Sequence, residues 1–155
     1  MLIRPKRVEE AHPVSLLLSA DPSWALVEAY LARGECFVAE LGGEVIGVYV
    51  LVPTGPGTAE IMNIAVAEEL QGQGIGKQLV RHAVETARER GYVQLEIGTG
   101  NSSLSQLALY QKCGFRIVGV EPDFFVRHYP EAIYENGLWC RDMIRLAMAL
   151  QFVSK

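Results

Sequence analysis

Glu60-Ile61-Met62-Asn63-Ile64-Ala65-Val66 reads as a strand, and Gln71-Gly72-Gln73-Gly74-Ile75-Gly76-Lys77 follows it as a glycine-rich loop. Ile75, Leu79, Val80, Ala83, Val84 and Ala87 then recur at helical spacing, and Gly91 ends the helix. A helix N-terminus presents unpaired N–H groups and a partial positive charge. Glycines let the backbone approach a phosphate closely. Gln71 to Lys77 is therefore expected to hold a phosphate or pyrophosphate. The competing explanation is a loop that needs glycines only to turn.

Upstream, Leu2 to Val8 reads as a first strand. Glu9 to Arg33 reads as two short helices broken around Asp21-Pro22-Ser23, with Asp21 placed to N-cap the second and Pro22 at its first position. Cys36 to Ala39 and Val45 to Val52 are apolar and β-branched, and Gly42-Gly43 supplies a tight hairpin turn between them. Pro53 to Gly57 reads as a loop. Downstream, Val93 to Ile97 is a predicted strand, Leu104 to Lys112 a helix and Phe115 to Val120 a strand. Asn136-Gly137 marks a turn, and a last strand runs from Leu138 to Ala149. This order predicts an α/β fold of the α+β type. A mixed, mostly antiparallel central sheet of about seven strands is flanked by about four helices. It is not the regular alternation of a doubly wound sheet.

The chain has 155 residues, half of them hydrophobic, which fits one domain over residues 1–155 with a sizeable core. The formal charge of -4 argues against a nucleic-acid footprint, which is a basic stripe. Cys36, Cys113 and Cys140 are far apart and lack CxxC spacing, which favours reduced thiols over a disulfide framework or a zinc site. His12, His82 and His128 are scattered without metal-ligand spacing, so no metal is expected. Charges at Lys6, Arg7, Glu9 and Glu10 break any apolar leader, and no apolar stretch approaches a membrane span. The expectation is a cytoplasmic protein without a membrane partner.

Two phosphate motifs fail on inspection. Walker A requires Ser or Thr after Gly-Lys, and here Gln78 follows Gly76-Lys77. The dinucleotide pattern GxGxxG fails because Gly72-x-Gly74 leads to Lys77. Gln71-x-x-Gly74-x-Gly76, by contrast, resembles the Gln/Arg-x-x-Gly-x-Gly/Ala motif of the GNAT (Gcn5-related N-acetyltransferase) superfamily. Ile64-Ala65-Val66, Asn101 after the next strand, and Tyr110-Gln111-Lys112-Cys113-Gly114-Phe115 agree with that family, as does Asp142-Met143-Ile144-Arg145-Leu146 near the end.

The resemblance implies a single acetyl-CoA-dependent acyltransferase domain. It assigns the pyrophosphate to Gln71, Gly72, Gln73, Gly74, Ile75, Gly76 and Lys77. It assigns the pantetheine arm to the backbone of Ile64, Ala65 and Val66, with one N–H of that strand facing the thioester oxygen. Asn101 would reach the pantetheine amides, although a turn residue is the plain alternative for it. Ser103 and Gln106 are weaker candidates for the outer part of the cofactor.

In the family-like Tyr110-x-Lys112-x-Gly114-Phe115 context Tyr110 is the candidate general acid, with an amphipathic core tyrosine as the plain alternative. The leaving thiolate's parent titrates near ~8.5, and a phenol near ~10 can donate to it. An alkylamine with a pKa near ~10 arrives protonated, and Ala59-Glu60-Ile61 resembles the place where several relatives carry a catalytic glutamate, so Glu60 is the candidate general base; a solvated or ion-paired strand-start glutamate is the plain alternative. Alternation places Asn63 on the opposite face of the strand from Glu60. Trp24, Glu28 and Tyr129 are candidates for the acceptor site. The segment Asp123 to Glu131, with Tyr134 and Glu135, mixes aromatics with acids; by the resemblance it would wall that site, and a loop packed on the sheet is the alternative.

The expected function is N-acetylation of a primary amine by direct transfer in a ternary complex, with no acyl-enzyme. A non-catalytic acyl-CoA-binding or sensing module on the same fold is the alternative, since binding needs only the loop. The acceptor amine is unassigned. Homodimers are common in the family, and the sequence names no interface.

Overall fold

The computed structural model describes residues 1–150. The strands are β1 (Leu2–Pro5), β2 (Glu35–Leu41), β3 (Glu44–Gly55), β4 (Thr58–Val66), β5 (Gln94–Gly100), β6 (Arg116–Glu121), β7 (Ile133–Glu135), β8 (Leu138–Cys140) and β9 (Met143–Ala149). The helices are α1 (Val14–Ala20), α2 (Trp24–Arg33), α3 (Ile75–Glu89), α4 (Leu104–Lys112) and α5 (Phe124–His128). A seven-stranded sheet runs in the order β1-β2-β3-β4-β5-β9-β6, while β7 and β8 form a separate hairpin. Among the described residues only β4 and β5 pair in parallel; every other ladder is antiparallel. The expected architecture holds, with five helices where the sequence suggested four.

The differences have local causes. Ser23, not Asp21, caps α2, its hydroxyl accepting from Leu26 N at 3.3 Å. Asp21 is engaged elsewhere. The strand Glu44–Gly55 absorbs most of the expected loop, leaving Pro56 and Gly57 (φ 72°) as a tight turn. The expected last strand breaks at Arg141-Asp142 into β8 and β9. The side-chain oxygen of Asn101 accepts both amides at that break, at 2.9 and 3.0 Å.

The sheet is packed on both faces over part of its width. One core joins Phe37, Tyr49, Leu51, Ile61, Leu95, Ile97 and Leu146 to the inner stripe of α3 (Leu79, Val80, Ala83, Ala87) and to Tyr110 of α4. The other joins Val38, Val48, Val50, Val52 and Ala65 to Leu17 of α1 and to Val27 and Tyr30 of α2. Burying one such aliphatic side chain is worth ~1.5–3 kcal/mol, so both helical layers are held by their apolar stripes. Helices α1 and α2 pack on β3 and β4. The same face of β5, β9 and β6 carries Glu96, Arg145 and Glu121 instead of a hydrophobic stripe.

Strand β4 contains a bulge. Leu51 pairs with Ile61 and Val50 with Asn63, which leaves Met62 as the extra residue. Directly paired residues share a face, so Glu60 (opposite Val52) and Asn63 (opposite Val50) both point toward the α1–α2 side. The expectation that they lie on opposite faces is therefore wrong: one inserted residue cancels one step of alternation.

Candidate active site

The ladder between β4 and β5 covers only Thr58↔Gln94 to Ile61↔Ile97. Beyond Ile61, β4 continues to Val66 and β5 to Gly100 without pairing to each other. The two strands diverge, and backbone groups of β4 along that side keep no strand partner. Such groups need hydrogen bonds, so an extended polar chain fits the gap. Ile64, Ala65 and Val66 line it.

The loop lies at the far end of the gap. Gln71 Nε2 donates to Val66 O at 3.1 Å, tying the loop to the strand end. Gly72 (φ 80°) and Gly74 (φ 85°) are left-handed, and a Cβ on either would meet nothing within 4 Å. Glycine is required there by backbone conformation, and the space beside it is open. Gly74 is the N-cap of α3 and provides no side-chain cap. Among the described residues, the N–H groups of Ile75, Gly76 and Lys77 have no backbone acceptor. These free donors, the helix dipole and the open space suit a pyrophosphate.

Glu60 stands one residue before the ladder ends. Its side chain is 14% exposed, and Arg145 Nη1 of β9 lies 3.4 Å from Oε2. Burial pushes its carboxyl above the usual carboxylate range. Arg145 opposes that, Glu96 adds to it, Arg33 opposes it and Glu121 adds to it. Glu96 is its register partner on β5. A carboxyl held up in this way is a better proton acceptor than an exposed one.

Tyr110 is 4% exposed and stands on the opposite side of the sheet from Glu60, in the α3–α4 layer, edge-on to Phe115 at 6.3 Å between ring centroids. Its hydroxyl makes no side-chain hydrogen bond among the described residues. Burial pushes the phenol well above its ordinary value, so it keeps its proton at any working pH.

The remaining expected residues have other engagements. Asn101 pins the β8–β9 break, and its Nδ2 donates to Trp139 O at 3.0 Å, leaving one amide hydrogen free. Ser103 donates to Glu135 of the β7–β8 hairpin at 2.8 Å, and Gln106 accepts from Ser105 at 3.1 Å. Trp24 and Glu28 lie one turn apart on the exposed side of α2. The aromatic segment after β6 forms α5, and a cavity of about 110 Å³ lies between Phe125, Tyr129, Trp139 and Cys140.

Tyr129 ties this wall to the first helical pair. Its hydroxyl donates to Asp21 at 2.7 Å, and the Tyr30 hydroxyl donates to the same carboxylate at 3.2 Å. Asn63 Nδ2 donates to Tyr30 at 2.8 Å and to Leu17 O at 3.0 Å. Burial, then the Asp21 carboxylate, raises the Tyr129 phenol. Asp21→Ala strands two largely buried hydroxyls, each worth ~1–3 kcal/mol. Urea unfolding is expected to show a stability loss of about 2 kcal/mol with an unchanged m-value.

Arg145, Gly98 and Glu96 were given no role from the sequence, and Asp21 was read only as a helix cap. One signal existed: Arg145 is the only charge inside the otherwise apolar run Met143 to Ala149. Among the described residues no helix is long and apolar enough to cross a membrane, and no group of three or more His, Cys, Asp or Glu is placed to hold a metal ion.

The chain matches the Acetyltransferase (GNAT) family over residues 7–115. It is 60% identical over 135 residues, 87% of each chain, to the uncharacterized N-acetyltransferase YvbK of Bacillus subtilis (strain 168). The structure of an IAA acetyltransferase from Bacillus cereus ATCC 14579 superposes with a TM-score of 0.93 at 63% identity, covering 96% of this chain and 99% of that one. A GNAT family acetyltransferase from Elizabethkingia anophelis, solved with acetyl-CoA bound, superposes with a TM-score of 0.95 at 50% identity, covering 96% of this chain and 97% of that one. The glycine loop, the interrupted β4–β5 ladder and these matches lead to one assignment: the chain is an acetyltransferase of the GNAT family.

Proposed function

We propose that this protein transfers an acetyl group from acetyl-CoA directly to a primary amine, within a ternary complex and one domain. The observation that carries the proposal is the gap where the β4–β5 ladder stops after Ile61. Glu60 stands at its start on one face, Tyr110 in the layer on the other, and the phosphate loop at its far end.

The residues present fit the cosubstrate. Glycines at 72 and 74 leave open space beside free helix N–H groups, and Val66 lies ~17–20 Å from Glu60 at the strand rise. An extended pantetheine arm spans that distance. The bound cosubstrate supplies an activated acyl group as a thioester. Ile64, Ala65 and Val66 orient the arm through backbone hydrogen bonds, and a free β4 N–H donates to the acyl oxygen as charge builds there. Glu60 takes the ammonium proton, directly or through a water, so the neutral amine can attack. Tyr110 gives its phenolic proton to the departing sulfur, and the proton that the acylated nitrogen then sheds restores the phenol, so the net release is the one proton that Glu60 took and returns to solvent. Asn101's remaining amide hydrogen is a further donor toward the arm. Ser103 and Gln106 border its outer part, and Trp24, Glu28 and Tyr129 border the amine.

The acceptor reaches Glu60 across the charged face of β5, β9 and β6. Carboxylates at Glu60, Glu96 and Glu121 favour a cationic small molecule there. Cytoplasmic residence belongs to the same proposal.

The test is calorimetric titration with acetyl-CoA, CoA and dephospho-CoA, followed by thiol release against a panel of primary amines. Binding of acetyl-CoA with amine-dependent release supports the enzyme. Tight binding with no turnover on any amine leaves the acyl-CoA-binding module, and no binding overturns the cosubstrate assignment.

A further inference from the structure

Arg145 and Gly98 are register partners on adjacent strands. Gly98 has no positive φ, so its backbone does not demand glycine. The space does. A Cβ there would lie 2.6 Å from Met143 Sδ and 3.4 Å from Arg145 Nη1. The missing side chain lets Arg145 cross β5 to reach Glu60 on β4. On the other side, Arg145 Nη2 donates to Glu121 Oε1 on β6 at 2.9 Å, and the guanidinium stands 5.8 Å from the Phe124 ring centroid. The guanidinium thus bridges carboxylates on β4 and β6, three strands apart in the sheet order, and is held from both sides.

We propose that Arg145, crossing over Gly98 and anchored by Glu121, is the positioning residue that holds the Glu60 carboxylate at the start of the β4–β5 gap and sets the pH at which it works. This rests on Glu60 being the base. Four charged groups from four elements face Glu60: Arg145 of β9, Glu96 of β5, Arg33 at the end of α2, and Glu121 of β6. Gln94 Nε2 already holds Glu96 Oε2 at 2.8 Å, and Arg127 shares the other oxygen of Glu121 at 3.2 Å. Arg145 is therefore the only cation among these that touches the Glu60 carboxylate.

The sign follows from charge. A nearby cation favours the ionised carboxylate, so its loss raises the Glu60 pKa and moves the acidic limb of the kcat–pH profile upward. A nearby anion does the reverse. In Arg145→Gln the limb is expected about one pH unit higher, and in Arg145→Lys it returns most of the way. Glu121→Gln is expected to move it lower, while the Arg145 anchor survives as a neutral hydrogen bond. Opposite shifts from two contacting residues are not produced by general loosening of the fold, and Glu121→Gln keeps the test decisive if Arg145→Gln fails to fold.

The experiment is kcat against pH at saturating acetyl-CoA and an amine identified by the panel, for the full chain, these variants and Glu60→Gln. An unmoved limb in Arg145→Gln or Glu121→Gln, with Glu60→Gln strongly impaired, overturns the positioning role and leaves Glu60 as the base. Glu60→Gln with a wild-type rate and limb overturns both.

Discussion

Tyr110→Phe is expected to lower kcat by roughly 10²–10⁴-fold while the acetyl-CoA dissociation constant stays at its wild-type value. The structure makes this substitution unusually clean. The ring is buried against Phe115 and the α3–α4 core, and phenylalanine fills the same volume. The hydroxyl has no side-chain partner among the described residues, so its removal breaks no such bond. The melting temperature should therefore hold within a few degrees. Single-turnover rates and calorimetry on the same preparation separate chemistry from binding. A kcat within a factor of three of wild type would remove Tyr110 from the proton inventory and leave the thiolate to depart unassisted.

The second large effect is on binding. Gly74→Glu should weaken acetyl-CoA by at least ~100-fold, equivalent to about 2.7 kcal/mol. Two causes add. A side chain in the left-handed region costs ~1–2 kcal/mol, and an anion is placed beside the free N–H groups that the pyrophosphate would use. Gly76→Ala is the control. That residue has no positive φ, and a Cβ would lie 3.5 Å from Leu109 Cδ2 and 4.0 Å from Val66 Cγ2, both ordinary contacts. Binding should survive in Gly76→Ala. Equal affinity in Gly74→Glu and wild type would move the phosphate away from this loop.

The two variants probe parts of the site with different legibility. The loop could be read from the sequence because its determinants are local. Gly72 and Gly74 are needed for backbone conformation, and the stripe from Ile75 to Ala87 sets the helix whose N-terminus faces the loop. The boundaries of α4 were also readable, because its apolar spacing and the Gly114-Phe115 stop lie within a dozen residues. Helix α5 was not, since five residues with Phe124 and Phe125 adjacent carry no helical period. Asp21 looked like a helix cap by position alone. The carboxylate is taken by two tyrosines, one of them 108 residues away, and Ser23 does the capping.

The sequence by itself determined the strand–loop–helix unit, the mostly antiparallel sheet and membership in the GNAT family, because φ preferences, hydrophobic period and motif spacing act over a few residues. Only the tertiary structure decided how the chemistry is arranged. The bulge at Met62 puts Asn63 on the Glu60 face, and the ladder between β4 and β5 stops after Ile61. Arg145 reaches Glu60 across 85 residues of sequence through the space above Gly98. Register and cross-strand reach depend on which segments pair and where pairing ends. Those are properties of two or three strands together, and no single stretch of the chain encodes them.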